Sequence, residues 1–485
     1  MITVALVNRS PDTTTFLDRN RHCFFQTQLR VNISDSKQNT ILPYPEAVND
    51  SQEDISNQLL YRKAPVFGKG HGVACNWDIP AYCEVEGVNS VYTEALPTFE
   101  TPSISSEVIT EDRSKLEISM EALAGFSLQS EGDYQLQSMI ETYEKWIRKN
   151  KEVIDKEILD SNLKIRAHEH IRSCELTLER IKAGYLLICN NIEVQRAFKL
   201  TNKAMLEQQK HAPKTIRTIS FNKGYPFVET PYITNTNIKG IWRPFQIGFL
   251  LMCIQGTIDK SHADHEKVDL IWFPTGGKTE AYLALAAFTL ILGRIKGGEK
   301  ADGVQVLMRY TLRLLTAQQL QRAATLICCL EVIRQEENLP GKTFSIGLWV
   351  GGKNTPNTRD SALKAFRKLK TGVEAGRTYN NPFLLDRCPY CAAQLGIVPT
   401  QNHRKTVVGY KVDRHSETVI FSCVDENCKF NQKIPIFLID EDIYLERPSI
   451  VIATVDKFAM LAWQPKIRSI FGINESGNRF SLPHS

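Results

Sequence analysis

Short apolar segments that alternate with helical stretches constrain this fold more than any other feature of the sequence. They are rich in β-branched and aromatic residues: VDLIWF (Val268–Phe273), GVQVLMRY (Gly303–Tyr310), FSIGLWV (Phe344–Val350) and SIVIAT (Ser449–Thr454). A strand that is apolar along its whole length is buried on both faces, which is typical of parallel sheets covered by helices. The sequence therefore predicts an α/β fold with a parallel sheet.

The first apolar segment leads into a turn with the composition of a phosphate-binding loop. PTGGKT (Pro274–Thr279) stands between the predicted strand and the helical stretch EAYLALAAF. Glycines let successive backbone N–H groups face one anion, and the following helix directs its positive end at the same point. In such a loop Lys278 binds phosphates and the Thr279 hydroxyl holds Mg²⁺. The general pattern has a glycine where this chain has Trp272, so an ordinary strand–helix turn is the alternative.

Two cysteine pairs have the spacing of a structural zinc site. RCPYCAAQL provides Cys388 and Cys391, and FSCVDENCKF provides Cys423 and Cys428. Two close pairs supply the four thiolates of a closed tetrahedral Zn²⁺ site. Between them VVGYKV and TVIFSC alternate as strands around DRHSE, which predicts a zinc ribbon over residues 384–432. Four unrelated buried thiols are the alternative.

Other cysteines and histidines are weaker candidates for metal binding. His403 and His415 lie between the two pairs and are substitute ligands, although four cysteines already complete the site. Cys328 and Cys329 lie on an apolar helical pattern and are expected in the core. We therefore assign the metal to the four paired cysteines alone.

The N-terminal half divides into regions that differ in composition and in the spacing of their apolar residues. Residues 1–115 are mixed, with short strands and loops, and residues 116–213 are helical. A linker rich in Thr, Asn and Pro occupies residues 214–239. Within the helical region, spacings of three and four mark one buried helix face, formed by Ile171, Cys174, Leu178, Ile181, Tyr185, Ile188 and Ile192. Their neighbours Glu175, Arg180 and Lys182 are expected to be solvated.

Composition excludes several classes of protein. With 42% apolar and 23% charged residues the chain is globular, and its 485 residues suggest two to four domains. The longest apolar stretch, Ala281–Leu292, is shorter than a membrane span, and the N-terminus lacks the pattern of a secretory signal. We predict a cytoplasmic protein without a membrane partner.

The net charge of +5 does not identify a nucleic-acid binder, so any phosphate-binding face has to be local.

Several segments resemble motifs of superfamily 2 helicases. WRPFQIGFLL resembles the adenine-recognising Q motif, LMRYTLRLLTAQQLQRA (Leu307–Ala323) motif Ia, and SIGLWVGGKNTPNT (Ser345–Thr358) motif Ib. IVIATVDKFAMLAW (Ile450–Trp463) resembles the segment before motif II. Together with FPTGGKTEAY, which is one residue shorter than the helicase loop, they resemble the helicase component of DISARM phage-defence systems. The resemblance covers nearly the whole chain and is strongest from Trp242 to Trp463.

The resemblance implies a RecA-like first helicase domain over residues 240–485, with the zinc ribbon inserted in it. It also implies ATP and Mg²⁺ as cofactors. The residues implied to bind the nucleotide are Arg243, Phe245, Gln246, Thr275, Gly276, Gly277, Lys278 and Thr279, of which Lys278 and Thr279 are the catalytic ones. Those implied to contact the nucleic-acid backbone are Arg309, Thr311, Arg313, Gln319, Gly351 and Gly352.

The family also has parts for which this sequence shows no match. An acidic motif II follows the TVDKFA segment in these helicases, whereas no such box follows Thr454 here. We therefore expect an incomplete first helicase domain, inactive alone, with DNA, other phage-defence proteins and a missing C-terminal helicase half as partners. The alternative function is a non-catalytic DNA-binding or scaffold protein that uses the zinc ribbon and the helical region.

Overall fold

The structure is a computed structural model. It describes residues 3–9, 27–33, 41–44, 51–78, 87–94, 105, 107–110, 113–211, 215–235, 237–272, 276–310, 313–352, 355–377, 380–400, 404–474 and 476–478. The chain divides into two compact units. The first comprises residues 1–104 and 144–176, and the second comprises residues 105–143 and 177–485.

A small antiparallel sheet characterises the first unit. Its strands are β1 (Arg30–Asn32), β2 (Ala74–Trp77) and β3 (Ser90–Glu94), in the order β1-β3-β2. Phe67 packs edge-on against Trp77, with ring centroids 5.5 Å apart. The helix α1 (Gln52–Tyr61) begins at Ser51, whose hydroxyl accepts a hydrogen bond from the Asp54 N–H as an N-cap.

Most of the helices lie wholly or partly in the second unit. They are α2 (Met120–Ala124), α3 (Glu131–Glu157) and α4 (Ser161–Asn190), the last two of which belong partly to the first unit, then α5 (Ile192–Lys210), α6 (Pro244–Ile258), α7 (Lys278–Gly297), α8 (Arg313–Glu336), α9 (Arg359–Glu374), α10 (Asp440–Glu446) and α11 (Val455–Phe458). Short 3₁₀ helices occur at Ala263–Glu266, Gly298–Ala301, Ala459–Ala462 and Pro465–Phe471.

The predicted helix face around residue 180 is buried for most of its length. Ile171, Leu178, Ile181 and Ile188 are buried in α4. Ile192 departs from the prediction, since its side chain is 76% exposed. The helix ends at Asn190 because the Asn191 side chain accepts hydrogen bonds from the N–H groups of the next turn and starts α5.

A four-stranded parallel sheet lies in the second unit. It consists of β8 (Val306–Tyr310), β9 (Ile346–Trp349), β14 (Ile436–Phe437) and β15 (Ile450–Thr454), in the order β14-β9-β15-β8. Ile450 pairs with Ile346 on one side and with Val306 on the other. All five residues of β15 are buried, as expected of an inner strand covered on both faces. The α/β class and three of the four predicted strand segments are confirmed.

The predicted strand at Val268–Phe273 is wrong for residues 268–272, which the structure describes. This segment pairs with no strand in the described part of the chain. Val268, Leu270 and Trp272 are 97%, 82% and 86% exposed. An apolar run forms a strand only where neighbouring strands take its backbone hydrogen bonds. Here the polar member of the run, Asp269, is bound by Arg180 instead.

Short two-stranded sheets complete the second unit. They are β4 (Ile118–Ser119) with β7 (Ile241–Trp242), β5 (Ile219–Asn222) with β6 (Tyr225–Val228), β10 (Gly396–Pro399) with β11 (Lys405–Val408), and β12 (Tyr410–Asp413) with β13 (Thr418–Phe421). The β5–β6 hairpin lies inside the segment predicted to be a linker. Its Ile219 and Phe221 pack against Val398 and Val408 of the β10–β11 hairpin.

One helix has the length and composition of a membrane span. Among the described residues this is Lys278–Ala301, but more than half of its most apolar part is buried inside the protein. Ala284, Ala287, Phe288 and Ile291 are fully buried there. Such burial is typical of a core helix, whose small residues let neighbouring helices approach closely.

Candidate functional site

The candidate phosphate-binding turn is a left-handed turn at the start of α7. Gly277 caps the helix with φ of +107°, a conformation that favours glycine. A Cβ added at Gly277 would lie 2.9 Å from Gln246 Nε2 and 3.0 Å from Arg243 Nη1. A Cβ added at Gly276 would meet nothing within 4 Å. The left-handed backbone therefore favours glycine at position 277, where an added Cβ would also displace two side chains, whereas position 276 has room for a side chain.

Arg243 and Gln246 hold this turn from the start of α6. Gln246 Nε2 donates to the Gly277 carbonyl at 2.7 Å, and Arg243 Nη1 donates to the Gly276 carbonyl. Gln246 is buried and its Oε1 accepts the Arg243 backbone N–H at 2.9 Å. Phe245 between them is half-buried. The Q-motif-like residues thus contact the backbone of the turn directly.

Thr279 lies in the first turn of α7, beside the end of strand β8. Its Oγ1 accepts a hydrogen bond from the Tyr282 hydroxyl at 3.1 Å, and that hydroxyl is 3.0 Å from the Tyr310 hydroxyl. Burial, together with the hydrogen bond to Tyr282, raises the pKa of Tyr310. Lys278 is half-buried at the helix start. The start of a long helix carries a partial positive charge, so anion binding is the chemistry that this end of α7 favours.

Thr275 lies outside the described residues, so the turn is described only from Gly276 onward. Within that part, the structure brings together Arg243, Gln246, Gly276 and Gly277, with Lys278 and Thr279 at the adjoining helix start. These are six of the eight residues that the helicase resemblance implies for the nucleotide.

Arg180 is a residue near this site whose contacts the sequence analysis missed. It was expected to be solvated, but its side chain is only 16% exposed. Its guanidinium donates to both carboxylate oxygens of Asp269, at 2.6 and 2.8 Å, and to Asp264 at 2.9 Å. The signal that could have found it is the single acidic residue in the apolar run VDLIWF, since a half-buried carboxylate needs a cationic partner.

The residues predicted to contact nucleic acid are less completely described. Arg309 is exposed on β8, and Gln319 is half-buried in α8. Gly351, with φ of +97°, and Gly352 follow β9 at the carboxyl edge of the sheet, where ligands bind in parallel α/β folds. Thr311 lies outside the described residues, as does the side chain of Arg313. The four residues of this set that the structure describes thus lie on β8, on α8 and in the loop after β9, and no hydrogen bond joins them.

The four predicted metal ligands form one buried cluster. Their Sγ atoms all lie within 4.8 Å of one another, with 3.4 Å between Cys391 and Cys423 and 3.9 Å between Cys388 and Cys428. Zn–S bonds of about 2.3 Å in a tetrahedron put the sulfur atoms about 3.8 Å apart. The donor set therefore fits one tetrahedral metal ion such as zinc, with no room for a larger cluster.

Histidine is not part of this cluster within the part of the chain that the structure describes. His415 is exposed in the turn after β12, and His403 lies outside the described residues. Burial raises the pKa of the Cys388 thiol, whereas hydrogen bonds from Cys388 and the other two thiols lower that of Cys391. A bound cation is the usual way to hold buried thiolates ionised.

Two residues from outside the cysteine segments, His211 and Arg217, contact the surroundings of the metal centre. The Arg217 N–H donates to the Ala392 carbonyl at 2.9 Å, and its guanidinium pairs with Asp425 at 2.8 Å. His211 stacks on Tyr390, with centroids 4.0 Å apart, and its Nδ1 is 3.0 Å from the Tyr390 carbonyl. Both cysteine pairs are thus tied to the end of α5 and the chain that follows it.

The sequence was compared with known proteins. It is 32% identical to the DISARM protein DrmA of Bacillus paralicheniformis over an alignment of 501 positions, gaps included, that covers 97% of this chain. The chain is related to a DISARM protein. It spans 41% of the length of that relative, and no protein-family model matches it. The relationship agrees with the resemblance to DISARM proteins seen in the motifs.

Proposed function

We propose that this chain is the nucleotide-binding part of an ATP-dependent DNA helicase or translocase that works in a DISARM-type phage-defence system. The relationship to DrmA supports the DISARM assignment along almost the whole chain. Other proteins of the same defence system are then its expected partners. Because the chain spans less than half of its relative, hydrolysis and translocation belong to this proposal as properties of the whole protein.

One observation carries the nucleotide part of the proposal. The turn at Gly276–Gly277 is fixed from outside by the Arg243 and Gln246 side chains, at the positive end of a 20-residue helix. A chance Gly-Lys-Thr turn has no need of a buried glutamine that holds its backbone. In the proposed site Lys278 binds phosphate oxygens and Thr279 binds Mg²⁺.

Titration with Mg·ATP by isothermal calorimetry tests this proposal. We expect binding by the wild-type chain and at least about tenfold weaker binding by Lys278→Ala, since the lysine is a direct phosphate contact. Lys296→Ala is the matched control, because Lys296 is exposed near the other end of the same helix. The proposal is wrong if the wild-type chain binds no nucleotide, or if both variants bind equally.

A second candidate function is a non-catalytic DNA-binding or scaffold protein built on the cysteine centre. The exposure of Val268, Leu270 and Trp272 favours it, since the strand that precedes a phosphate-binding loop is normally buried in the sheet. Salt-sensitive DNA binding together with no affinity for Mg·ATP would support this function over the motor. Tight Mg·ATP binding would support the motor.

A further inference from the structure

Helix α9 carries an unusually basic surface. The nineteen residues from Arg359 to Arg377 include six basic and two acidic residues, an excess of four, whereas the whole chain of 485 residues has a net charge of +5. This helix and the residues just after it are therefore a locally basic segment of a nearly neutral protein. Local concentration of this kind is what binding to a polyanion requires.

The basic residues lie on one face of the helix. Ala362, Leu369, Gly372 and Val373 form its buried face. Opposite to it, Lys364, Arg367 and Lys368 are exposed at spacings of three and four residues, which places them side by side along about one turn. We call these three residues the basic face. Lys370 and Arg377 are exposed beside it.

Ion pairing within the protein leaves the charges of Lys364 and Arg367 available. Lys364 pairs with Asp360 at 2.6 Å, but the two side chains are 72% and 73% exposed, so water and a competing anion both reach the pair. Arg367 makes no ion pair within the described part of the chain. An exposed pair contributes well under about 1 kcal/mol, so a phosphate group can replace Asp360 at little cost.

The helix is held firmly from its other side. The Thr358 side chain and Ser361 form a capping box at its start, and the Arg359 guanidinium donates to buried Asp442 at 2.6 Å. Phe366 faces Tyr410 of β12, with ring centroids 6.4 Å apart. Because the apolar side of α9 is packed, the helix cannot insert into a lipid surface as an amphipathic membrane helix does.

We propose that the basic face of α9, formed by Lys364, Arg367 and Lys368, binds the sugar-phosphate backbone of DNA. The chemistry is electrostatic and independent of base sequence, since ammonium and guanidinium groups on a rigid helix meet a regular row of phosphates. This inference rests on the DNA partner of the proposed function and assigns it a surface, but it needs neither ATP nor the turn at Gly277.

Fluorescence anisotropy of a short labelled DNA duplex, without nucleotide and at several salt concentrations, tests the inference. We expect the triple variant Lys364→Ala, Arg367→Ala, Lys368→Ala to bind at least about tenfold more weakly, and its salt slope to fall by about 2 to 3, since each phosphate contact contributes about 0.9. The charge-preserving variant Lys364→Arg, Arg367→Lys, Lys368→Arg is expected to bind like the wild type.

A matched control exists in α3. Lys145, Arg148 and Lys149 have the same spacing and are exposed, but residues 141–157 contain five basic and five acidic residues. Their triple alanine variant loses the same charge and should keep duplex affinity. The inference is overturned if the wild-type chain does not bind the duplex, if both alanine variants weaken equally, or if the α9 variant loses binding to anionic vesicles only. None of these outcomes bears on Mg·ATP binding.

Discussion

Arg180 of α4 binds Asp269 through two N–H···O bonds of 2.6 and 2.8 Å, across 89 residues of sequence. Asp269 stands in the segment that leads into the candidate phosphate-binding turn, and its neighbours Val268 and Leu270 are almost fully exposed. Apolar packing therefore contributes little to the position of this segment. A bidentate ion pair to a helix fixes it instead.

Removal of this pair is predicted to destabilise the second unit. Arg180→Ala removes the cation that pairs with Asp269 and leaves Asp264 with Lys267 alone, which should lower the free energy of unfolding by about 1–3 kcal/mol. Urea denaturation followed by circular dichroism measures the change. Arg172→Ala in the same helix is the control, since its side chain is 63% exposed and should matter little. Equal stabilities for both variants would contradict the prediction.

Acid is predicted to weaken the same network. Burial pushes the pKa of Asp264 up, but hydrogen bonds and charges from Lys267 and Arg180 outweigh it, so the pKa is lowered. A lowered pKa in the folded state adds stability above the unfolded value of about 3.9 and loses it as the pH falls through the folded value.

This pH dependence is tested by measuring the free energy of unfolding of the wild type and of Asp264→Asn between acid and neutral pH. The wild type should be the more stable protein at pH 7, and the difference should shrink once the pH falls below about 4. Asp360→Asn serves as control, because this carboxylate is 73% exposed and its pair with Lys364 is weak. A difference that grows in acid would contradict the assignment.

Gly277→Ala is predicted to damage the candidate nucleotide site. The substitution forces an alanine into φ of +107° and brings its Cβ within 3.0 Å of the Gln246 and Arg243 side chains. We expect a loss of about 1–2 kcal/mol in stability and weaker Mg·ATP binding. Gly276→Ala, one residue earlier, meets nothing within 4 Å and should be tolerated. Thermal unfolding and calorimetry of both variants measure the effects.

The cysteine cluster is predicted to hold one zinc ion per chain. Elemental analysis of the purified protein should find zinc at that ratio, and Cys428→Ala should lower it, because three ligands bind a structural metal much more weakly than four. Cys174→Ala is the control, since Cys174 is only half-buried and is not part of the cluster. Full metal content in Cys428→Ala would contradict the four-cysteine assignment.

Metal removal is predicted to affect the surroundings of the cluster more than the parallel sheet. A chelator should lower the temperature of the first unfolding transition, since four buried thiols without a cation lose the cross-link between the two cysteine pairs. Hydrogen exchange should then rise first in β10 to β13, which lie between or beside the pairs. A uniform increase over the whole chain would show that β10 to β13 and the cysteine cluster are not a separate unit of stability.

Much of the fold follows from the sequence alone. A run such as IVIAT has only its last residue, Thr454, as a polar side chain, so an inner strand is its expected position, and all five residues of β15 are buried. The paired spacing of Cys388, Cys391, Cys423 and Cys428 similarly identified the buried cluster, because close cysteine pairs converge with little freedom. Local pattern was sufficient in both cases.

Tertiary structure decided what local pattern could not. VDLIWF is as apolar as IVIAT, yet it is unpaired and exposed at residues 268–272, because strand formation depends on partners that are distant in sequence. The partner of Asp269 is likewise 89 residues away in another helix, beyond any local spacing rule. The sequence by itself determined which segments are apolar and which residues can bind phosphate or metal. Only the tertiary structure decided which of them meet, since that depends on long-range pairing and on where half-buried charges find their counter-ions.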